Sequence, residues 1–344
     1  ERKELLLNTR EPQIDTTIRL NGDYGQFNEL VLKAKQAKEY FLLIGPPGTG
    51  KTSFGLVNLL KEALSEARSN ILLASYTNRA VDEICSKLIK HNIPFIRIGS
   101  ELSCDTAYHD CLLCNKTKAC RNVNEIKEMI QQTRVVVGTT SSLTSKQNLF
   151  NIKHFNMAIV DESSQILEPQ LMGLICAQHN GVNAIDKFVF IGDYKQLPAV
   201  VQQTEQESEV KEESLRKIGL TNCRNSLFER LINLQKGNQA MSYLMTRQGR
   251  MHPDVATFSN QSFYENKLLP VPIKHQEKPL QYDTFDKSND LEKIIATKRL
   301  CFITSEGYQT TTIKVNTYEA KEIAALIHAV WKIYEKNNKP FDTK

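Results

Sequence analysis

Scanned for its alternation of apolar and polar positions, the chain falls into short apolar runs separated by longer amphipathic stretches. The runs are Phe41 to Ile44, "NILLASYTN" (70–78), "FIRIG" (95–99), "RVVVGTT" (134–140), "MAIVDE" (157–162) and "KFVFIGD" (187–193). Between them apolar residues recur at helical spacing: over 27–38, from Phe54 to about 67, and over 79–92, where Val81, Ile84, Cys85, Leu88 and Ile89 repeat at intervals of three and four. Strands that are apolar on both faces, alternating with helices, predict an α/β fold with one parallel sheet covered on both sides. In such folds ligands bind beyond the carboxyl ends of the strands.

The pattern divides the chain into a polar lead-in over 1–25, a first domain over 26–235 and the incomplete start of a second over 236–344. The second part predicts a strand over 299–307 and a helix over 316–336. A stretch at 202–214 carries five Glu and no aromatic residue, and reads as a solvated loop without chemistry.

Length agrees with this division, since 344 residues suit two domains of about 150 each. A hydrophobic share of 40% and a charged share of 24% are ordinary for a globular protein. A net charge of +5 permits a nucleic-acid partner without requiring one. No apolar run reaches the roughly 20 residues of a membrane span, and no signal peptide is visible. With eight cysteines and no sign of export, reduced thiols and an intracellular setting are expected. The opening "ERKELLLNTREP" has no initiator Met and reads as the interior of something longer.

Candidate chemistry gathers at the strand ends. Gly45-Pro46-Pro47-Gly48-Thr49-Gly50-Lys51-Thr52-Ser53 is a phosphate-binding loop with a strand before it and a helix after it. Its glycines let successive N–H groups face the phosphates, Lys51 reaches the β- and γ-phosphates, and Thr52 offers a hydroxyl to Mg²⁺. Asp161 and Glu162 follow a second strand, Asp161 suited to the metal and Glu162 to a general base on water. Together these predict an ATPase. Gln196, after Gly192-Asp193, is placed to sense a γ-phosphate. Arg250 in "GRMHP" offers a cation for the far side of the phosphates. Thr77, Asn78, Thr139 and Thr140 stand just past strands. There they serve either as helix caps and turns or as phosphodiester contacts.

Their order carries more than each alone. GPPGTGKT, TNRAVDE, VVVGTT, VDESSQ, GDYKQLPAV and GRMHP, in that sequence, resemble the motifs of superfamily 1 helicases. "GDYKQLPAV", "SLFERL" and "RMHP…FSNQSFYENKL" resemble the 1B branch, in the group containing the nonsense-mediated-decay helicase, senataxin and the Okazaki-fragment nuclease–helicase. The resemblance covers roughly 20–335 and implies RecA-like domains and an ATP- and Mg²⁺-dependent motor on single-stranded nucleic acid. DNA is preferred over RNA as its track, with 5′-to-3′ polarity. A strand-gripping clamp or an RNA helicase is the alternative. Residue by residue, the resemblance implies that Gln26 reads adenine, and it supports Gly48, Gly50, Lys51, Thr52, Asp161, Glu162, Gln196 and Arg250 in the roles above.

The chain also departs from the family. Gly249 stands where relatives often carry a Tyr, leaving Tyr24 or Phe27 to replace a stack on the base. The family's later Gln-Gly-x-Glu-type segment and its arginine finger do not occur here. An arginine finger is worth roughly 10³–10⁵ in rate elsewhere, so nucleotide binding with weak hydrolysis is expected of these residues alone.

Cys104, Cys111, Cys114 and Cys120, with His109 among them, leave two readings open. Four thiolates suit Zn²⁺ or an iron–sulfur cluster. Alternatively the cysteines are small packed hydrophobes. The flanking gaps match no zinc-finger spacing, and the packing reading is preferred.

Overall fold

The computed structural model describes residues 2–236, 238–280, 282–304 and 315–341. They form two units, Glu1–Thr246 and Arg247–Lys344.

In the first unit the apolar runs become strands because both faces of each find cover. In chain order these are β1 (Tyr40–Ile44), β2 (Ile71–Ser75), β3 (Phe95–Ile98), β4 (Val135–Thr139) and β5 (Phe155–Val160). The two-residue arms β6 (Gln178–His179) and β7 (Val182–Asn183) make a small hairpin, and β8 (Ile185–Gly192) and β9 (Ser242–Leu244) follow. Apart from that hairpin they make one seven-stranded sheet in the order β3-β4-β2-β5-β8-β1-β9. Every pairing within it is parallel. Phe41, Leu42 and Leu43 of β1 and Ile71 to Ala74 of β2 are fully buried, as a sheet packed on both sides requires.

Strand order decides where the chemistry meets. β5, β8 and β1 are neighbours, so the segments leaving their carboxyl ends emerge side by side. These are Asp161-Glu162 after β5, Asp193 after β8 and the phosphate loop after β1.

The helices follow their apolar faces with small differences from expectation. The predicted helix over 27–38 is Asn28–Gln36, preceded by a tight turn at Gly25–Phe27. In the helix Asn78–Lys90, Val81, Ile84, Cys85 and Leu88 are buried, but Ile89 is 48% exposed. The helix Leu227–Leu234 lies within "SLFERL" and "INL" and buries Leu227, Phe228 and Arg230. Arg230 makes a forked pair with Glu168, Nε to Oε2 at 2.9 Å and Nη2 to Oε1 at 2.5 Å, and donates to the carbonyls of Leu6 and Ile218. The 202–214 stretch is irregular as expected, yet not wholly solvated. Ser208 and Val210 are buried, and Val210 N–H donates to the Thr221 carbonyl.

The first unit runs on to Thr246 where a boundary at 235 was expected. The reason is β9, which pairs with β1 and closes that side of the sheet. It is only three residues long and follows polar sequence, so it carries little periodicity of its own.

In the second unit β10 (Arg247–Gln248) pairs in parallel with β11 (Leu269–Pro270). Helices span Pro253–Phe263, Asp290–Thr297 and Thr317–Lys336, the last matching the helix expected over 316–336. Of the strand expected over 299–307, residues 299–304 are not in a strand, and the remainder lies outside the described residues. Among the described residues no helix is long and apolar enough to cross a membrane.

Candidate nucleotide-binding and hydrolytic site

The phosphate loop is closed by its own backbone and by the neighbouring strand. Gly45 N–H donates to the Gly192 carbonyl at 2.9 Å, joining the end of β1 to that of β8. Thr49 donates its N–H and its hydroxyl to the Pro46 carbonyl, at 3.2 and 2.8 Å. Gly48 and Gly50 sit at φ of 77° and 78°, left-handed conformations that glycine adopts without the clash a Cβ would cause. Lys51–Leu56, with Ser53 inside it, is a wide π-type turn that leads into the helix Val57–Ser65. Such turns recur at functional sites.

Two contacts tie this loop to the acidic pair far along the chain. The Thr52 hydroxyl donates to Asp161 Oδ2 at 2.7 Å. The Lys51 ammonium pairs with Glu162 Oε1 at 2.8 Å. Asp161 is 2% exposed. Burial, and after it the charge of Glu162, pushes its carboxyl up to about 6, against the opposing pull of the Thr52 hydrogen bond and the Lys51 charge. Glu162 adopts φ of 53°, rare for a side chain of its size and typical of positions where function outweighs backbone preference. One hydroxyl and one buried carboxylate, both hard oxygen donors, form the kind of set that holds Mg²⁺ beside a phosphate, so Thr52 and Asp161 fit that ion.

Sequence reading gave no role to the two serines of "VDESSQ". Ser163 donates to the Ile191 carbonyl at 2.8 Å, and Ser164 Oγ accepts from Asp193 N–H at 3.1 Å. They bolt the end of β5 to the end of β8. The approach is close: a Cβ on Gly192 would come 2.9 Å from the Ser164 nitrogen. Asp193 then holds Gln196, whose amide Nε2 donates to Asp193 Oδ2 at 2.8 Å. Gln196 thus reaches this edge of the sheet as a ligand of Asp193 in the present geometry. The only sequence signal for this bracing was a run of small polar residues beside two strand ends.

Gln26 lies exposed in the turn Gly25–Phe27. That turn is anchored by Glu62, a residue passed over in the sequence because a Glu in a helix is commonplace. Glu62 is 3% exposed and accepts from Asn21 N–H, Gly22 N–H, the Tyr24 hydroxyl and the Lys35 ammonium. Burial alone would raise its carboxyl, but these donors, Lys35 foremost, hold it below the usual range. Because Glu62 belongs to the helix that continues from the phosphate loop, the lead-in and the loop are fixed to one another.

Thr77 and Thr139 are N-caps. Thr77 Oγ1 accepts from Ala80 N–H at 3.2 Å and Thr139 Oγ1 from Ser142 N–H at 3.1 Å, as Thr does at a helix start. Asn78 is exposed, whereas Thr139 and Thr140 are buried. Arg250 is exposed in the second unit, on a turn built by Gln248. The Gln248 side chain accepts from the N–H groups of Arg250 and Met251 and donates to the Met251 carbonyl.

Cys104, Cys111, Cys114 and Cys120 are free thiols in short turns beside β3. Among the described residues no group of three or more His, Cys, Asp or Glu side chains is placed to hold a metal ion. The zinc or iron–sulfur reading has no geometry behind it. Burial raises the Cys104 and Cys111 thiols above their usual range. Leu112, between Cys111 and Cys114, is fully buried and bridges to Arg97 of β3, so the segment covers that edge of the sheet.

Comparison with known proteins places the chain in a family. A family described as an AAA domain matches residues 26–113 and 108–204, and a second of the same description matches 223–342. The chain is 32% identical over 236 residues to the DNA replication ATP-dependent helicase/nuclease of Gallus gallus, covering 67% of this chain and 21% of that protein. It is 33% identical over 291 residues to the Arabidopsis thaliana protein of the same description, covering 83% of this chain and 19% of that one. The chain therefore spans about a fifth of the length of these curated relatives. Among solved structures, an Arterivirus nonstructural protein 10 helicase with DNA overlays with a TM-score of 0.40 at 14% identity, over 72% of this chain and 45% of that one, too distant to bear on the assignment. The chain belongs to the AAA-domain family, within superfamily 1 of the helicases and the group of the Okazaki-fragment nuclease–helicase, senataxin and the nonsense-mediated-decay helicase.

Proposed function

We propose that this chain is the ATP-hydrolysing core of an intracellular motor that moves along single-stranded nucleic acid, DNA in preference to RNA, in the 5′-to-3′ direction. The observation that carries the reading is the double contact Lys51–Glu162 and Thr52–Asp161. It joins a phosphate-binding lysine to a general base and a metal-binding hydroxyl to a carboxylate at one edge of the sheet. The relatives' description as DNA replication helicase/nucleases supports DNA as the track.

In this reading the loop N–H groups and Lys51 bind the phosphates of ATP, and Gln26 faces the base. Thr52 and Asp161 would hold Mg²⁺, which neutralises charge on the phosphates when bound. Glu162 takes a proton from the attacking water. Gln196, held by Asp193, distinguishes a phosphate-filled site from an emptied one, and the family resemblance gives Arg250 the role of a phosphate-contacting cation. Thr77, Asn78, Thr139 and Thr140, at strand ends of the same sheet edge, lie where strand phosphates would be gripped and released as the nucleotide turns over.

The test is steady-state ATP hydrolysis by this chain extended to carry the family's later arginine-finger segment, measured alone, with single-stranded DNA and with single-stranded RNA of equal length, using Lys51→Ala as the blank. Stimulation by DNA above that by RNA is expected, with none in Lys51→Ala. Greater stimulation by RNA would reassign the track, and turnover indifferent to both polymers would overturn the motor.

A further inference from the structure

Phe54 stands in the first turn after the phosphate loop and is 54% exposed. A phenyl ring left open to water among glycines, threonines and a lysine is not there to fill the core. Its ring lies nearly parallel to that of Phe27, with centroids 5.5 Å apart and planes 12° from parallel. Its edge covers Gly50, where a Cβ would come 2.5 Å from the ring. Phe27 is fixed in turn. Its N–H donates to the Tyr24 carbonyl, and the Tyr24 hydroxyl donates to Glu62 at 2.7 Å, on the helix that continues from Phe54. The stacked pair is therefore braced from both ends by one helix, with Gln26 next to it in sequence.

The direction of a bound nucleotide follows from the loop. Backbone N–H groups cradle the α- and β-phosphates, so ribose and base continue away from Lys51 and Glu162. The first turn, with Ser53 and Phe54, is the flank that meets them. Aromatic faces bind nucleobases by stacking, whatever hydrogen-bonding pattern the base edge carries, and larger ring systems stack over more area. Tyr24 is committed to Glu62 through its hydroxyl, and Phe27 has Phe54 against it; the open surface of the pair belongs to Phe54.

We propose that Phe54, backed by Phe27, is the platform on which the purine base of the bound nucleotide stacks, and that it sets the preference for purine over pyrimidine nucleotides. The proposal rests on the nucleotide-binding reading above and adds to it the residue that holds the base.

The experiment is calorimetric binding of ADP, CDP and inorganic tripolyphosphate, each with Mg²⁺, to the full 344-residue chain and to Phe54→Ala, Phe54→Leu and Phe54→Trp. Phe54→Ala and Phe54→Leu are expected to lose about tenfold or more in ADP affinity, in line with alanine substitutions at stacking sites. They should lose less for CDP and nothing for tripolyphosphate, which has no base. Phe54→Trp should restore ADP binding. Unchanged ADP affinity in Phe54→Ala, or wild-type affinity in Phe54→Leu, would overturn the platform. Equal losses for ADP and tripolyphosphate would also overturn it, because they would make Phe54 a support of the loop. A wild-type chain that binds neither ADP nor tripolyphosphate would instead sink the nucleotide reading itself.

Discussion

Glu162 holds Lys51 by an ion pair while its own backbone sits in a left-handed conformation. In the proposed function an incoming γ-phosphate would compete for the same ammonium, and the carboxylate it displaced would be free to act on water. Glu162→Gln keeps the size and removes both the charge and the base. Nucleotide binding should be retained or tightened, because Lys51 is no longer contested. Turnover should fall about 100-fold or more, the usual worth of a general base. Single-turnover hydrolysis measured beside nucleotide binding separates the two effects, and near-normal turnover would remove Glu162 from the chemistry. Residue identities at this scale were legible in the sequence because a phosphate loop and a strand-end acidic pair tolerate few substitutes. What was not legible is how they are braced. Ser163, Ser164 and Glu62 act through contacts between segments distant in the chain, and beyond a run of small polar residues at the serines nothing in their own neighbourhoods marks them.

Whole elements were legible where one periodicity ran unbroken. The central strands read correctly because four or more consecutive apolar residues, buried on both faces, leave no alternative. β9 was missed because three residues at the side of a sheet need no pattern. Polar groups inside elements are where pattern reading fails most, and Lys153 shows why. It follows the helix Asn148–Ile152 and is 3% exposed, with its ammonium donating to the Gln131 carbonyl at 2.7 Å, in the last turn of the helix Val123–Gln132. That bond satisfies a carbonyl the helix end leaves without an intrahelical partner, and a neutral amine can make it as well. Burial, followed by the charge of Arg134, pulls the amine down to about 8. The unfolded chain would keep its proton to about 10.4. Below pH 8 both states are protonated and the burial cost, about 3 kcal/mol, is carried in full. As pH rises from 8 toward 10.4 the unfolded state holds a proton the native state has shed, so native stability recovers. Lys153→Met removes the cost and also the cap, worth about 1 kcal/mol. The variant should therefore be the more stable at pH 7, with its advantage shrinking and then reversing near pH 10. Urea unfolding of both proteins at pH 7 and pH 9.5 reads this. A difference that does not change with pH would mean the native state bears no cost for that charge.

At the scale of the molecule the two units differ in what they bury for themselves. The main hydrophobic core runs from Leu30 to Met245 and draws every member from the first unit. In the second unit the buried apolar side chains are Ala256, Tyr264, Leu268, Ala296, Ala329 and Ile333 among the described residues, half of them alanine. Its long helix Thr317–Lys336 leaves Ile323, Ile327 and Trp331 about half exposed, a stripe at four-residue spacing. A segment folds alone only when the apolar area it buries outweighs the conformational entropy it loses, and six small or isolated side chains do not reach that balance. Residues 1–246 expressed by themselves should unfold in one cooperative transition and bind tripolyphosphate as the full chain does, since Gly45 to Ser53, Asp161 and Glu162 all lie within them. Residues 247–344 by themselves should melt without a cooperative transition and bind a hydrophobic dye, as chains do when secondary structure persists without fixed packing. Calorimetric melts of the two segments and of the full chain decide it. A sharp transition in 247–344 would show that its core is larger than the contacts in this chain account for, and a broad one in 1–246 would mean that the core of the first unit does not suffice by itself.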